Sequence, residues 1–267
     1  MNLTAGRSVV CVDRKGDGKY GFYVANYGGP TRFYELNNDL IRDIAPDLKI
    51  DKITGGRAVV AGHILSNKMD IFAANERGPN FLYLNEKDQF YNVSTEYNTD
   101  DVLQNGRGTT LTDFLYRGNL DIINGNWEGF HRIFVNNETT FNDMASKEFR
   151  IPSRIRTIIS ADFDNDGYDE IFMNNIGEPN KLFKILENGK IIQIKISNAL
   201  EKNGSENIKN CSGNLRTALV LGSENLGLRR LTREKISVSA KIPIAVQTES
   251  LNVSNAAAIA LYVIQKD

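Results

Sequence analysis

Cysteine, histidine and proline are all scarce in this 267-residue chain, which holds two, two and six of them. The two cysteines, Cys11 and Cys211, provide neither a disulfide framework nor a cysteine-rich zinc site; one long-range bridge is the most they allow. The two histidines, His63 and His131, stand in separate parts of the chain near no obvious nucleophile, so no catalytic triad can be read. His63 falls in a turn and is expected to be structural or solvated. No apolar run is long enough to span a bilayer, and the opening MNLTAGRSVV lacks the basic and apolar regions of a secretory signal. As written, the chain is expected to be soluble, to use no membrane and to stay in the cytoplasm where it is made. Charge of one sign is also missing. The 32 basic residues offset 33 acidic ones to a formal net charge of -1, which argues against a globally basic nucleic-acid binder but leaves room for a local patch. With 41% hydrophobic residues the chain can bury a core and fits one large domain or two small ones.

What the sequence does contain is a repeat. Gly6-Arg7, Gly56-Arg57 and Gly106-Arg107 are 50 residues apart, and Ile155-Arg156 follows after 49. Each pair opens the same phrase, with an apolar β-prone run such as Ser8 to Val12, Ala58 to Ala61 or Thr157 to Ser160 leading to an Asp/Gly turn. A second run follows (Gly21 to Ala25, Ile71 to Ala74, Asp121 to Gly125, Ile171 to Asn174), then a turn and a third run such as Phe81 to Leu84. Three or four short antiparallel strands per repeat cannot bury both faces alone. Packing as β-propeller blades is the most economical solution at this period. The aligned Asn26, Asn75, Asn126 and Asn175, each ending the second run, are expected to cap turns.

The fourth repeat contains Asp162-Phe163-Asp164-Asn165-Asp166-Gly167-Tyr168-Asp169-Glu170. Acidic side chains at its first, third, fifth and ninth positions (Asp162, Asp164, Asp166, Glu170), a backbone carbonyl at the seventh (Tyr168) and a bend at Gly167 form a hard-oxygen set suited to Ca²⁺. The alternative is a solvated acidic turn, but four clustered carboxylates repel unless a cation joins them. The other repeats act as controls. Asp13 and Asp17 are accompanied by Lys15 and Gly21, Asp113 and Asp121 by Leu115 and Arg117, and the second repeat is one residue shorter with His63 leading. Lys15 and Arg117 are expected to supply internally the charge that calcium supplies in the fourth repeat, so one metal site is expected.

These residues resemble the FG-GAP/VCBS type of β-propeller repeat found in integrin α-subunit heads, and more closely the cartilage acidic protein family. The phrases that carry the likeness are GRSVVCVDRKGDGKYGFYVANY, ERGPNFLYLN, NGRGTTLTDF, GNWEGFHRIFVNN and ADFDNDGYDEIFMNN. The resemblance covers residues 1 to about 200. It implies an extracellular, non-catalytic interaction module stiffened by calcium, whose partner is a protein or glycan held by its loops.

The last quarter follows another grammar. After Asn198 the repeat stops, and a polar stretch over 199–214 reads as a junction. From residue 215 the pattern is a strand (Ala218 to Leu221), a glycine-containing loop, a short helix (Leu226 to Glu234), a strand (Ile236 to Ile242) and an Ala-rich terminal helix capped by Ser250 or Asn252, which is α/β alternation. LVLGSENLGL and IPIAVQTESLNVSNAAAIALY, in this order, are similar to the second and third motifs of the SpoU (TrmH) family of knotted RNA 2′-O-ribose methyltransferases. That resemblance implies that Gly222, Ile242 and Leu251 line an S-adenosylmethionine pocket, with Glu224, Ser250 and Asn252 on the substrate and catalytic side. Arg216, Arg229, Arg230, Arg233, Lys235 and Lys241 make the segment locally basic, either as an RNA-facing surface or as an ordinary solvated face. A homodimer is expected if the segment folds as in that family. The family's first motif, which carries the activating arginine, is missing upstream, where the repeats stand.

The expected fold is therefore mainly β. About four FG-GAP-type blades over 1–198 (repeats near 6–50, 56–100, 106–150 and 155–198) form a partial propeller, and a small α/β segment over 215–267 resembles the C-terminal part of a knotted methyltransferase. The expected function is a calcium-stabilised binding module fused to an incomplete S-adenosylmethionine-binding segment without catalysis of its own. The alternative is RNA 2′-O-methylation carried by the C-terminal segment.

Overall fold

The computed structural model describes residues 5–186, 189–194, 198–200, 206–207, 219–221 and 238–242. They are mainly β, with no helix among them. Four consecutive units each hold four strands. The first has β1 (Gly6–Val12), β2 (Gly21–Pro30), β3 (Arg32–Asn37) and β4 (Leu40–Asp43); the second has β5 (Ile53–Gly62), β6 (Asp70–Asn75), β7 (Phe81–Glu86) and β8 (Gln89–Asn92). The third has β9 (Gly106–Thr112), β10 (Asp121–Asn126), β11 (Arg132–Asn136) and β12 (Phe141–Asp143); the fourth has β13 (Ile155–Ala161), β14 (Glu170–Asn175), β15 (Lys181–Ile185) and β16 (Ile191–Ile194). Within a unit each strand pairs antiparallel with the next. Asn38-Asp39 and Lys87-Asp88, all at positive φ, close the β3–β4 and β7–β8 hairpins with the twist that two-residue turns require. Units one and two are also joined where β2 pairs with β5 through Tyr27, Gly29 and Pro30, giving one eight-stranded sheet.

The apolar pattern explains why the units stack. The middle strands β6 and β10 are buried at every residue, because successive side chains enter different cores. Ile71 and Ala73 join Val12, Tyr23 and Phe33 of the first unit, whereas Phe72 and Ala74 join Ile122 and Phe134 of the third. Likewise Ile123 and Ile133 join Ile155, Ile171 and Phe183 of the fourth. Every core cluster is thus an interface between consecutive units. Each fully buried Ile or Phe contributes about 1.5–3 kcal/mol that an isolated unit would forfeit. The first strands run side by side in chain order, β1 by β5, β5 by β9 and β9 by β13.

Beyond β16 the pairing changes. β17 (Asn198–Leu200), β18 (Glu206–Asn207), β19 (Leu219–Leu221) and β20 (Val238–Lys241) form a parallel sheet in the order β18-β20-β17-β19. The strands expected at Ala218 to Leu221 and Ile236 to Ile242 correspond to β19 and β20. β18 and the end of β17, inside the stretch read as a junction, pair with the same sheet. The expected helices, Leu226 to Glu234 and the terminal one, lie outside the described residues.

Candidate functional site

The acidic loop lies between β13 and β14. Asp162 folds it by accepting hydrogen bonds from the amides of Asp166 (3.1 Å) and Gly167 (2.9 Å), and Asp166 accepts one from the Tyr168 amide (3.0 Å). Positive φ at Asn165 (56°) and Gly167 (89°) makes the bend. The result brings Asp162, Asp164 and Asp166, all exposed, to where one oxygen of each lies within 4.8 Å of the others. Glu170, the first residue of β14, sits beneath them, only 1% exposed. Its Oε2 accepts the Phe163 amide at 2.9 Å, while its buried Oε1 has no hydrogen-bond partner. Burial raises its pKa above the usual carboxylate value.

The cation that these acids need is already present in the chain. Lys184 on β15 places its ammonium on Asp164 and Asp166, 3.4 Å from Glu170 Oε1. Its hydrogen bond holds the Asp166 carboxyl below its ordinary value. Burial alone would lower the Lys184 pKa, but its bonds to Asp164 and Asp166 raise it well above that of a free lysine. The expectation that these carboxylates repel unless a cation joins them is met by this residue, which lies beyond the loop on the third strand of its unit.

The same scaffold recurs in the control loops. Asp13 accepts the amides of Gly16, Asp17 and Gly18, and Asp113 those of Arg117 and Gly118. Arg117 reaches Asp121 at 3.5 Å, as expected of an internal cation. In the first unit the ion pair belongs to Arg14, not Lys15, and goes to Glu35 on β3 at 2.7 Å. In the second, Lys68 pairs with Asp88, and Asp70 accepts the amides of Ile64, Leu65 and Ser66. His63 is exposed to solvent there. Cys11 carries a free, exposed thiol.

The repeated arginines are more than markers of period. In all four units the arginine is the extra residue of a β-bulge, since Gly6, Gly56, Gly106 and Ile155 pair with Asn26, Asn75, Asn126 and Asn175 while the next pairing skips Arg7, Arg57, Arg107 and Arg156. The bulge re-aims each guanidinium along the inner strands. Arg7 and Arg57 lie 5.8 and 4.1 Å from the Tyr27 ring centre, and Arg107 and Arg156 lie 4.1 and 5.7 Å from the Trp127 ring. Between them, Glu76 Oε2 accepts hydrogen bonds from both Arg57 and Arg107. Tyr27, Glu76 and Trp127 each follow an aligned asparagine, which is the sequence signal that could have exposed this column.

Those asparagines do cap turns, by side chain rather than by left-handed backbone. Their Nδ2 groups donate to the carbonyls of Pro30, Pro79, Phe130 and Pro179 at 2.6, 2.7, 2.6 and 2.8 Å. The amides of Asn75 and Asn175 donate to Asn80 and Asn180, and that of Asn126 donates to His131 Nδ1 at 3.1 Å. The proton of His131 therefore sits on Nε2, 3.0 Å from Ser153 Oγ, which in turn donates to Asn175 Oδ1 at 2.8 Å. A serine does lie beside His131, contrary to the sequence reading. It is not an activated nucleophile, because the imidazole donates to it and both are buried.

Of the residues assigned to the S-adenosylmethionine side, Ile242 is half-buried just after β20; Gly222, Glu224, Ser250, Leu251 and Asn252 lie outside the described residues. Lys241 is exposed on β20, and Arg216, Arg229, Arg230, Arg233 and Lys235 also lie outside.

Comparison with known proteins matches both halves. The FG-GAP-like repeat model matches residues 113–173, and the SpoU rRNA Methylase family model matches residues 146–262. Cartilage acidic protein 1 of Homo sapiens is 44% identical over 230 residues, covering 76% of this chain and 35% of that protein. Its Xenopus tropicalis counterpart is 42% identical over 207 residues, covering 69% and 32%. The 23S rRNA (guanosine-2'-O-)-methyltransferase RlmB of Coxiella burnetii is 55% identical over 49 residues, covering 18% of this chain and 20% of that enzyme. The chain spans about a third of the length of the cartilage acidic proteins it matches. It joins a segment similar to the FG-GAP-like repeat and to cartilage acidic protein 1 to a segment similar to the SpoU rRNA Methylase family.

Proposed function

We propose that residues 1–198 are four blades of a β-propeller whose fourth blade holds Ca²⁺ in the loop between its first two strands, that the blades serve as a binding module for a protein or glycan, and that the C-terminal segment does not catalyse by itself. The observation that carries the metal reading is the convergence of Asp162, Asp164 and Asp166 beside the buried Glu170, whose Oε1 lies 3.4 Å from the Lys184 ammonium. Asp162, Asp164, Asp166 and Glu170, with the Tyr168 carbonyl, are five hard oxygen donors, which a bidentate carboxylate or water brings to the about six to eight oxygens that Ca²⁺ takes. These residues fit the ion. When bound, it would cross-link the loop to β14 and stiffen the outer turn of the unit. The stacked units and neighbouring first strands support the blade reading.

Limited proteolysis of the intact chain tests this function. Ca²⁺ is expected to protect residues up to about 190, and Asp164→Ala to abolish the protection; identical cleavage with Ca²⁺ and with chelator would overturn it. The second reading, S-adenosylmethionine-dependent RNA 2′-O-methylation, is favoured by the parallel sheet of β17 to β20 and by the SpoU match. It predicts that S-adenosylmethionine protects residues after 215, and that changing Asn252 or Gly222 removes this. A homodimer through that segment is the assembly it implies.

A further inference from the structure

We infer that Lys184 is a tethered counter-ion of the fourth-unit loop, occupying the place of the divalent cation and leaving it when the metal enters, so that it sets the metal affinity of the site. This inference rests on the calcium reading above. The first ground is position. Lys184 bonds Asp164 and Asp166 and lies 3.4 Å from Glu170 Oε1, so its ammonium sits among three of the four carboxylates proposed as ligands. An ion coordinated at about 2.3–2.6 Å by the same oxygens cannot share that volume or that field with an ammonium.

The second ground is the matching of charge across units. The register of β2 with β3, β6 with β7, β10 with β11 and β14 with β15 makes Glu35, Leu84, Val135 and Lys184 equivalent. A cation stands at this position only in the unit whose loop carries Asp162, Asp164 and Asp166 together. Where the loop instead offers a base, Arg14, the equivalent residue is the acid Glu35, and the two are paired at 2.7 Å. Where the equivalents are Leu84 and Val135, the loop cation finds its acid elsewhere, Lys68 at Asp88 and Arg117 at Asp121. The third-strand residue is thus fitted to the charge of its own loop.

The third ground is mobility of the group. A lysine has a flexible four-carbon stem and a single ammonium, unlike the fixed fork of arginine, and can withdraw toward solvent without moving β15. The lysine therefore balances the acids in the metal-free state, and the metal balances them when it is bound.

The test is a Ca²⁺ titration of the intact chain and of Lys184→Gln, by calorimetry and by competition against Tb³⁺ luminescence sensitised by Tyr168. The variant is expected to bind Ca²⁺ at least about tenfold more tightly, since one competing charge is gone, and to melt lower than wild type in chelator but not in Ca²⁺. Tighter binding by the variant, or binding by the variant alone, supports the inference. Equal or weaker binding overturns it and leaves the metal reading standing, whereas binding by neither chain overturns both. A second measurement needs no substitution. In the wild-type chain, acetylation of Lys184 followed by mass spectrometry is expected to accelerate on adding Ca²⁺, and an unchanged rate would count against displacement.

Discussion

Arg107 donates to the same carboxylate oxygen of Glu76 that Arg57 does, although Glu76 precedes it by 31 residues. The shared oxygen ties the inner strands of units two and three at the centre of a column that runs Arg7, Tyr27, Arg57, Glu76, Arg107, Trp127, Arg156. Burial by itself would raise the Glu76 pKa, but the two guanidiniums hold it below the usual value.

Replacing Glu76 with Ala leaves two largely buried guanidiniums without their anion. Breaking such a pair costs about 3–5 kcal/mol, with the lower end expected here because Tyr27 and Trp127 still stack on the cations. The check is the urea midpoint of Glu76→Ala against Glu76→Gln, which keeps one acceptor and should lose less.

The glycine of each Gly-Arg pair makes a sharper comparison. A Cβ on Gly56 would stand 2.9 Å from the Asn26 carbonyl oxygen, a backbone atom that cannot move aside cheaply, whereas on Gly6 nothing lies nearer than 3.6 Å. Gly56→Ala is expected to cost about 1–3 kcal/mol by overpacking and Gly6→Ala almost nothing, as read by thermal melting of the two variants.

Stability should depend on His131 in acid. Burial, with Lys181 nearby, pushes its pKa down to about 3, from 6.5 in the unfolded chain. The unfolded state then takes up a proton that the folded state refuses. The stabilisation is complete above about pH 6.5 and is lost as pH falls toward 3, on the order of 2–4 kcal/mol over that range. His131→Asn puts the residue of the equivalent positions Asn80 and Asn180 in its place. It should keep the acceptor for the Asn126 amide and remove this part of the pH dependence, measured as denaturant midpoints between pH 7 and pH 4.

Asp121 works in the opposite sense. Burial raises its pKa from 3.8 to about 6, against the amides of Asn136 and Phe114, with Arg117 lowering it and Asp113 raising it. The folded state here holds a proton that the unfolded state has released. This contribution is full below about pH 4 and is lost as pH rises through 6. Asp121→Asn should flatten that slope and lose one of the two amide bonds, lowering the midpoint at pH 4 more than at pH 7.

Much of this was legible in the sequence because the repeat is covalent. The spacing of the Gly-Arg pairs places β1, β5, β9 and β13, and the Asp/Gly turns place the loops. The role of the arginines was not legible, since a bulge is a matter of pairing register and their partners Tyr27, Glu76 and Trp127 come from neighbouring strands. Lys184 was hidden for a similar reason. It lies 14 residues beyond Glu170, and only the β14–β15 hairpin carries it over the acidic loop. Of the four carboxylates in the pattern, Asp162, Asp164 and Asp166 converge, and their charge balance required the third strand. In the C-terminal segment β19 and β20 match the expected strands, while the contribution of β17 and β18 comes from residues whose polar composition reads as a connection.

The most direct measurement is calorimetric titration of the intact chain with Ca²⁺, followed by S-adenosylmethionine in the same preparation. The account predicts one saturable Ca²⁺ site, lost in Asp164→Ala, and weak or no binding of S-adenosylmethionine. Absence of Ca²⁺ binding together with micromolar S-adenosylmethionine binding would contradict it and put the methyltransferase reading first.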